Sequence, residues 1–262
     1  MTDLDPRVGR AIAATAEGRC EEALGLLVGL FERICTDEAF ARNNMFIVMF
    51  EWSQLSEAYA PARDALARAR DAQAQLLLDG DNVFRSGRGY PCTRFQLIAG
   101  INDTLDDPHS TRNLFVHMES VMPEAARHAS RRALPAMVAT GDFERAGRYL
   151  PDPMAHVAEL NAMAAGLPLL PPPGAAPRLA AELSNAMRDV SLCAATMEGL
   201  GRRGEAGELR RAALARLATA EMRELGGREL ADPGAIRREL ASHRMAQEEG
   251  VERLRVVQSP PG

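Results

Sequence analysis

Lysine is missing from all 262 residues, so arginine supplies every one of the 31 basic side chains. Without a lysine amine there is no Schiff base to pyridoxal phosphate, no P-loop lysine and no lysine of the protein-kinase type. Aromatic residues are scarce at 5%, which leaves Ala and Leu to fill an interior. β-branched residues are sparse as well, while Ala, Leu, Arg, Glu and Met favour helix over strand. The four cysteines, Cys20, Cys35, Cys92 and Cys193, are scattered. None has the paired spacing of a zinc site or a redox motif. Long apolar runs are absent too. The densest, Met45 to Phe50, falls far short of the roughly 20 residues that span a bilayer. The opening Met1-Thr2-Asp3-Leu4-Asp5-Pro6 is acidic and lacks the apolar core of a secretion signal. These absences together predict reduced thiols in a cytoplasmic chain without a membrane segment.

What is present is a globular balance, 46% hydrophobic and 26% charged, with a net charge of -5. A chain of this length buries roughly three quarters of its unfolded surface, so it needs no metal or disulfide staple. The acidic balance opposes non-specific binding to nucleic acid or anionic lipid. Arg131-Arg132, Arg202-Arg203, Arg210-Arg211 and Arg237-Arg238 read as solvated helix faces.

Helix punctuation is legible. Asp-Pro occurs at Asp5-Pro6, Asp107-Pro108, Asp152-Pro153 and Asp232-Pro233. The aspartate accepts the unpaired N–H groups of a first turn, and proline at the next position gives up nothing there. All four pairs therefore predict helix starts. Apolar spacing of three and four predicts helices over 7–17, 20–34, 37–59 and 61–77. Leu24, Leu27, Val28 and Phe31 share one side of the second, and the third carries Phe46, Val48, Met49, Trp52, Leu55 and Tyr59. The run Met45–Phe50 reads as buried helix. Further helices are expected over 93–105, 109–121, 123–140 (kinked or split by Pro135), 142–149, 153–165, 177–200, 204–225 and 233–247.

Two segments interrupt the pattern. Residues 79–92 are turn chemistry around Gly80, Gly87 and Gly89. Gly166 to Gly174 carries three consecutive prolines, which exclude helix and read as an extended spacer. The expected organisation is an N-terminal helical array over 1–166 with an irregular insert at 79–92. A proline-rich linker at 167–176, C-terminal helices at 177–247 and a frayed tail at 248–262 follow.

Trp52-Ser53-Gln54-Leu55-Ser56-Glu57-Ala58-Tyr59 resembles the first helix of a tetratricopeptide repeat, whose large residues flank a small one where two helices approach. Gly18 with Ala23, Gly141 with Ala146 and Gly201 with Ala206 resemble the opening of the repeat's second helix. Arg63 and Arg68 stand where the family has small residues, so the repeat is degenerate. The resemblance implies an all-α fold of antiparallel helical hairpins stacked as a short TPR-like α-solenoid. It also implies a concave surface that holds a protein or peptide.

Candidate chemistry is thin. The histidines, His109, His117, His128, His156 and His243, form no zincin or zinc-finger spacing, so no metal or cofactor is expected. Gly87-Arg88-Gly89 lacks the strand and remaining glycines of a phosphate loop. Loops of this length inside a domain are usually either functional or disordered. On and after that loop, Arg85, Arg88, Tyr90, Arg94, Asn102 and His109 offer planar donors and ring surface for a partner. The leading expectation is a non-catalytic protein that binds a peptide or protein partner, as an adaptor or partner-neutralising factor does. The alternative is an enzyme of unrecognised type with a site near the Cys92 loop and His117. Nucleic acid and membrane are not expected partners.

Overall fold

Three of the four Asp-Pro pairs start helices by the predicted mechanism. The computed structural model describes residues 5–85 and 92–258. Asp5 accepts from the Arg7 backbone N–H, Asp107 from Ser110, and Asp152 from Met154 and Ala155, each with proline at the first helical position. The first helices are α1 (Pro6–Ala16), α2 (Cys20–Thr36), α3 (Glu38–Ala58) and α4 (Ala60–Leu78), joined by one to three residues. Gly18 closes α1 at a φ of +72°. The Arg19 N–H reaches the Ala14 carbonyl and the Gly18 N–H the Thr15 carbonyl, a helix end that favours glycine because it has no Cβ.

A short antiparallel ribbon follows, β1 (Val83–Arg85) and β2 (Cys92–Thr93), with Val83 opposite Thr93. It lies in the segment that the sequence reads as irregular, and it is the only sheet among the described residues. Then come α5 (Arg94–Leu105), α6 (Pro108–Val121) and α7 (Pro123–Ala139). Thr93 and Gln96 form a reciprocal capping box at the start of α5, and α7 runs unbroken through Pro135. The remaining helices are α8 (Phe143–Ala146), α9 (Pro153–Ala164), α10 (Arg178–Gly199), α11 (Arg203–Arg216), α12 (Ala220–Ala231) and α13 (Ala235–Gln258). The fold is all-α, and no described helix is long and apolar enough to cross a membrane.

The chain divides into two compact units, Met1–Thr140 and Gly141–Gly262. This division precedes the proline-rich segment instead of falling within it. Residues 167–176 are non-helical, as three prolines require. They are nonetheless part of the second unit, since Leu167 and Leu169 pack against its core. The Pro171 carbonyl accepts a 2.9 Å hydrogen bond from Gln247 and lies 3.0 Å from His243 Nε2. α13 continues to Gln258, so helix replaces most of the expected tail.

In the first unit Trp52 is buried, 1% exposed, with its ring edge-on to Phe31 at 5.6 Å. Its indole N–H donates to the Ala62 carbonyl at 3.0 Å and ties α3 to α4. Leu55 is buried beside it and Tyr59 is half-buried. The second unit fills its core with Val157, Leu160, Leu183, Met187, Val190 and Met222.

Two further expectations change. The predicted helix over 204–225 is two helices, α11 and α12, because Leu217 is extended and Thr219 caps the second. Asn161 of α9 holds this break open. Its Nδ2 donates to the Arg216 carbonyl at 2.7 Å and its Oδ1 accepts from the Ala218 N–H at 2.9 Å. Asp232-Pro233 does not start α13 but lies in the turn before it. The capping carboxylate is Glu229 of α12, which accepts from the Gly234 and Ile236 N–H groups at 3.1 and 2.8 Å.

Candidate functional site

The partner-binding residues read from the sequence divide into three groups. Arg88 and Tyr90, and the side chain of Arg85, lie outside the described residues. Arg94 and Asn102 are buried, 7% and 1% exposed, and their polar groups are used internally. The Arg94 guanidinium pairs with the Asp81 carboxylate at 2.6 Å and donates to the Asp81 and Val83 carbonyls at 2.8 and 3.2 Å. It also donates to Gln73. It is a clasp between the ribbon, α4 and α5. Asn102 accepts from Arg70 at 2.7 Å and donates to Thr111 at 3.0 Å, so it links α4, α5 and α6. Buried polar groups need such partners, and neither residue offers a free donor to a second molecule. That corrects both assignments. His109 is exposed in the first turn of α6.

The second sequence expectation, an enzyme near Cys92 and His117, meets this placement. Cys92 is half-buried in β2, with its thiol 3.4 Å from the Thr93 carbonyl, and His117 is exposed on α6. Among the described residues, no group of three or more His, Cys, Asp or Glu is placed to hold a metal ion. Burial pushes the Cys35 and Cys193 thiols up to about 11, the reverse of nucleophile activation. In the second unit His156 sits between two carboxylates, Nδ1 2.9 Å from Asp189 and Nε2 3.5 Å from Glu182. The Nδ1–Asp189 hydrogen bond holds α9 against α10.

The feature that the sequence misassigns is the helix face of Met45–Phe50. α3 carries two apolar stripes. Phe40, Val48, Trp52 and Leu55 form the buried one. On the other, Phe46 is 83% exposed and Phe50 49% exposed, one turn apart, with rings stacked at 6.4 Å and 16° between planes. Met45 and Met49 are half-buried beside them. The run is helical but only partly buried, so the expectation of a buried helix is corrected.

Across from this stripe stands α5. Leu97, Gly100, Ile101 and Thr104 recur at three and four on α5 and face the same space as Met45, Phe46, Met49 and Phe50 of α3. Both helices pack on α4. Between them lies a cleft of about 530 Å³. Ala41, Ser53, Gln96 and Cys92 of β2 also line it, and among the described residues Arg42 is its one charged lining residue. Arg42 is exposed. Its position on α3, one turn before Phe46, puts a cation beside the aromatic pair.

A signal for this cleft was present in the sequence. A helix apolar on more than one face needs a second cover, and 38–58 carries more large apolar residues than one stripe accommodates. Comparison with known protein families, with curated proteins and with solved structures finds no match to this chain.

Proposed function

We propose that this chain is a non-catalytic helical-hairpin protein that binds a protein or peptide partner through the cleft between α3 and α5. The observation that carries this reading is the exposed, stacked Phe46–Phe50 pair at a mainly apolar cleft. Water around two adjacent phenyl rings is unfavourable, and contiguous exposed apolar surface marks interaction sites more often than it marks free surface. Aromatic and methionine side chains also dominate the energetics of protein interfaces. In the first unit, α1 packs on α3 and α5 on α7, as well as each helix on its sequence neighbour. Next-but-one packing of this kind supports a degenerate tetratricopeptide-like stacking, with the odd-numbered helices as the binding wall. The scattered spacing of the four cysteines fits a reducing, cytoplasmic setting.

The test is affinity capture from the source cell with the full chain and with Phe46→Gln/Phe50→Gln. Glutamine keeps helix propensity, and Phe46 contributes little to the core, so thermal stability is expected to stay within about 0.5 kcal/mol. A partner held by the wild type and lost by the variant supports the reading. Equal capture by a variant of unchanged stability overturns the cleft as the binding site.

A further inference from the structure

We infer that the occupant of the α3–α5 cleft is an amphipathic α-helix of about three turns with an acidic residue next to Arg42. The inference rests on the binding function proposed above and names the partner's chemistry.

Backbone hydrogen bonding argues for a helix. Both walls of the cleft are helices whose N–H and C=O groups are paired within themselves. An extended peptide gains its affinity by adding to a free sheet edge; the long walls here are helical, and the ribbon reaches the cleft only through Cys92 of the two-residue strand β2, too short to template a strand. A helical segment satisfies its own backbone and needs only side-chain contact. The length agrees. The α3 wall runs from Ala41 to Ser53, about 18 Å at 1.5 Å per residue, which matches a segment of about twelve residues.

The lining sets the side chains. Gly100 leaves open space, since a Cβ built there meets only Arg132 Nη2, at 3.8 Å. Ala41 adds little bulk at the other wall. Bulky aliphatic residues at three and four spacing on the partner would fill these positions between the Phe46 and Phe50 rings. Met45 and Met49 adapt to irregular shapes. Charge sets the orientation. Arg132, close to Gly100, is engaged by Asp103, whereas Arg42 makes no ion pair among the described residues. Among the described residues no acidic side chain lines the cleft. A carboxylate on the partner complements Arg42, and a cation there is repelled.

Fluorescence anisotropy of labelled fourteen-residue peptides against the full chain tests this. One peptide carries leucines at three and four spacing with Glu at both ends, a second has Lys at both ends, and a third replaces the leucines by Gln. The Glu-flanked peptide is expected to bind about fivefold more tightly than the Lys-flanked one, the scale of an exposed charge contact. Arg42→Glu reverses that preference, and Phe46→Gln/Phe50→Gln weakens both peptides about 30-fold. The Gln peptide stays unbound. A charge preference unchanged by Arg42→Glu, or leucine peptides indifferent to the phenylalanine substitutions, overturns the inference. So does a cleft-dependent partner from the capture experiment whose contact segment is extended in circular dichroism; in that case the binding function stands and only the helical occupant fails. Sedimentation showing a dimer that Phe46→Gln/Phe50→Gln dissolves assigns the cleft to a second copy and overturns it as well. Failure of capture and of every peptide removes both readings together.

Discussion

The two units build a helical core from different materials. The first buries Trp52, Phe31, Phe40, Phe95 and Phe115, and Phe95 and Phe115 sit 6.1 Å apart. Beyond Tyr149 the sequence contains no aromatic residue, and the second unit's core is Leu, Val, Met, Ala and Ile. Rings fill gaps between helices, so glycines in the first unit need not lie at contacts. Gly25 and Gly29 of α2 have open space where a Cβ would go. In the second unit two helical glycines lie at close contacts. A Cβ on Gly199 would enter the Phe143 ring, and one on Gly226 would lie 3.2 Å from Met187 Sδ and Leu217 Cδ1. Glycine is therefore structural at Gly199 and Gly226 and replaceable at Gly25 and Gly29.

The strongest way to break the comparison is to remove the largest ring. Trp52→Ala is expected to cost about 3–5 kcal/mol, through the cavity and the lost indole bond to Ala62, read as a fall in thermal midpoint. A loss below that of Met187→Ala would show that the first core does not depend on its aromatics. Next, Gly199→Ala is expected to destabilise by about 1–3 kcal/mol through overpacking, although alanine is the better helix former. An unchanged or raised midpoint would show that α8 yields. Asn161→Ala removes both hydrogen bonds across the α11–α12 break, at a cost of about 1–2 kcal/mol, measured by urea denaturation. The smallest effect at neutral pH has the opposite sign. Gly25→Ala, in open space, is expected to stabilise by about 0.5–1 kcal/mol, and a destabilised variant would contradict the free space around α2.

One property crosses both units. Cys35 and Cys193, one in each, have thiols raised to about 11, in both cases chiefly by burial. Near pH 8 both should resist alkylation in the native state and react after denaturation. The unfolded thiols ionise near 9.0, so this contribution to stability is full below that value and is lost as pH rises through about 11. Rapid native labelling of either cysteine would contradict its burial.

Local signals were legible in the sequence and long-range ones were not. Asp5, Asp107 and Asp152 cap within three residues of themselves, so their motif suffices. The α11–α12 break depends on Asn161, far back in α9, and no window around Leu217 contains it. Asp232-Pro233 has the right motif, but Glu229 from the preceding helix supplies the cap. Arg94 reads as a free donor until Asp81 and Gln73 close around it. The cleft was half legible. Periodicity assigns Phe46 and Phe50 to a helix, whereas their exposure depends on whether another helix covers that face, and α5 stands back from it.

The chain's one tryptophan, held edge-on to Phe31 in the first unit, has an optical consequence. Indole emission reports on that unit alone, while the second unit beyond Tyr149 is dark in the near ultraviolet and contributes only to the amide signal of its helices. Following both signals through one melt separates the two halves without label, mutation or cleavage. Coincident curves mean that the halves unfold as one, and displaced curves give each its own stability.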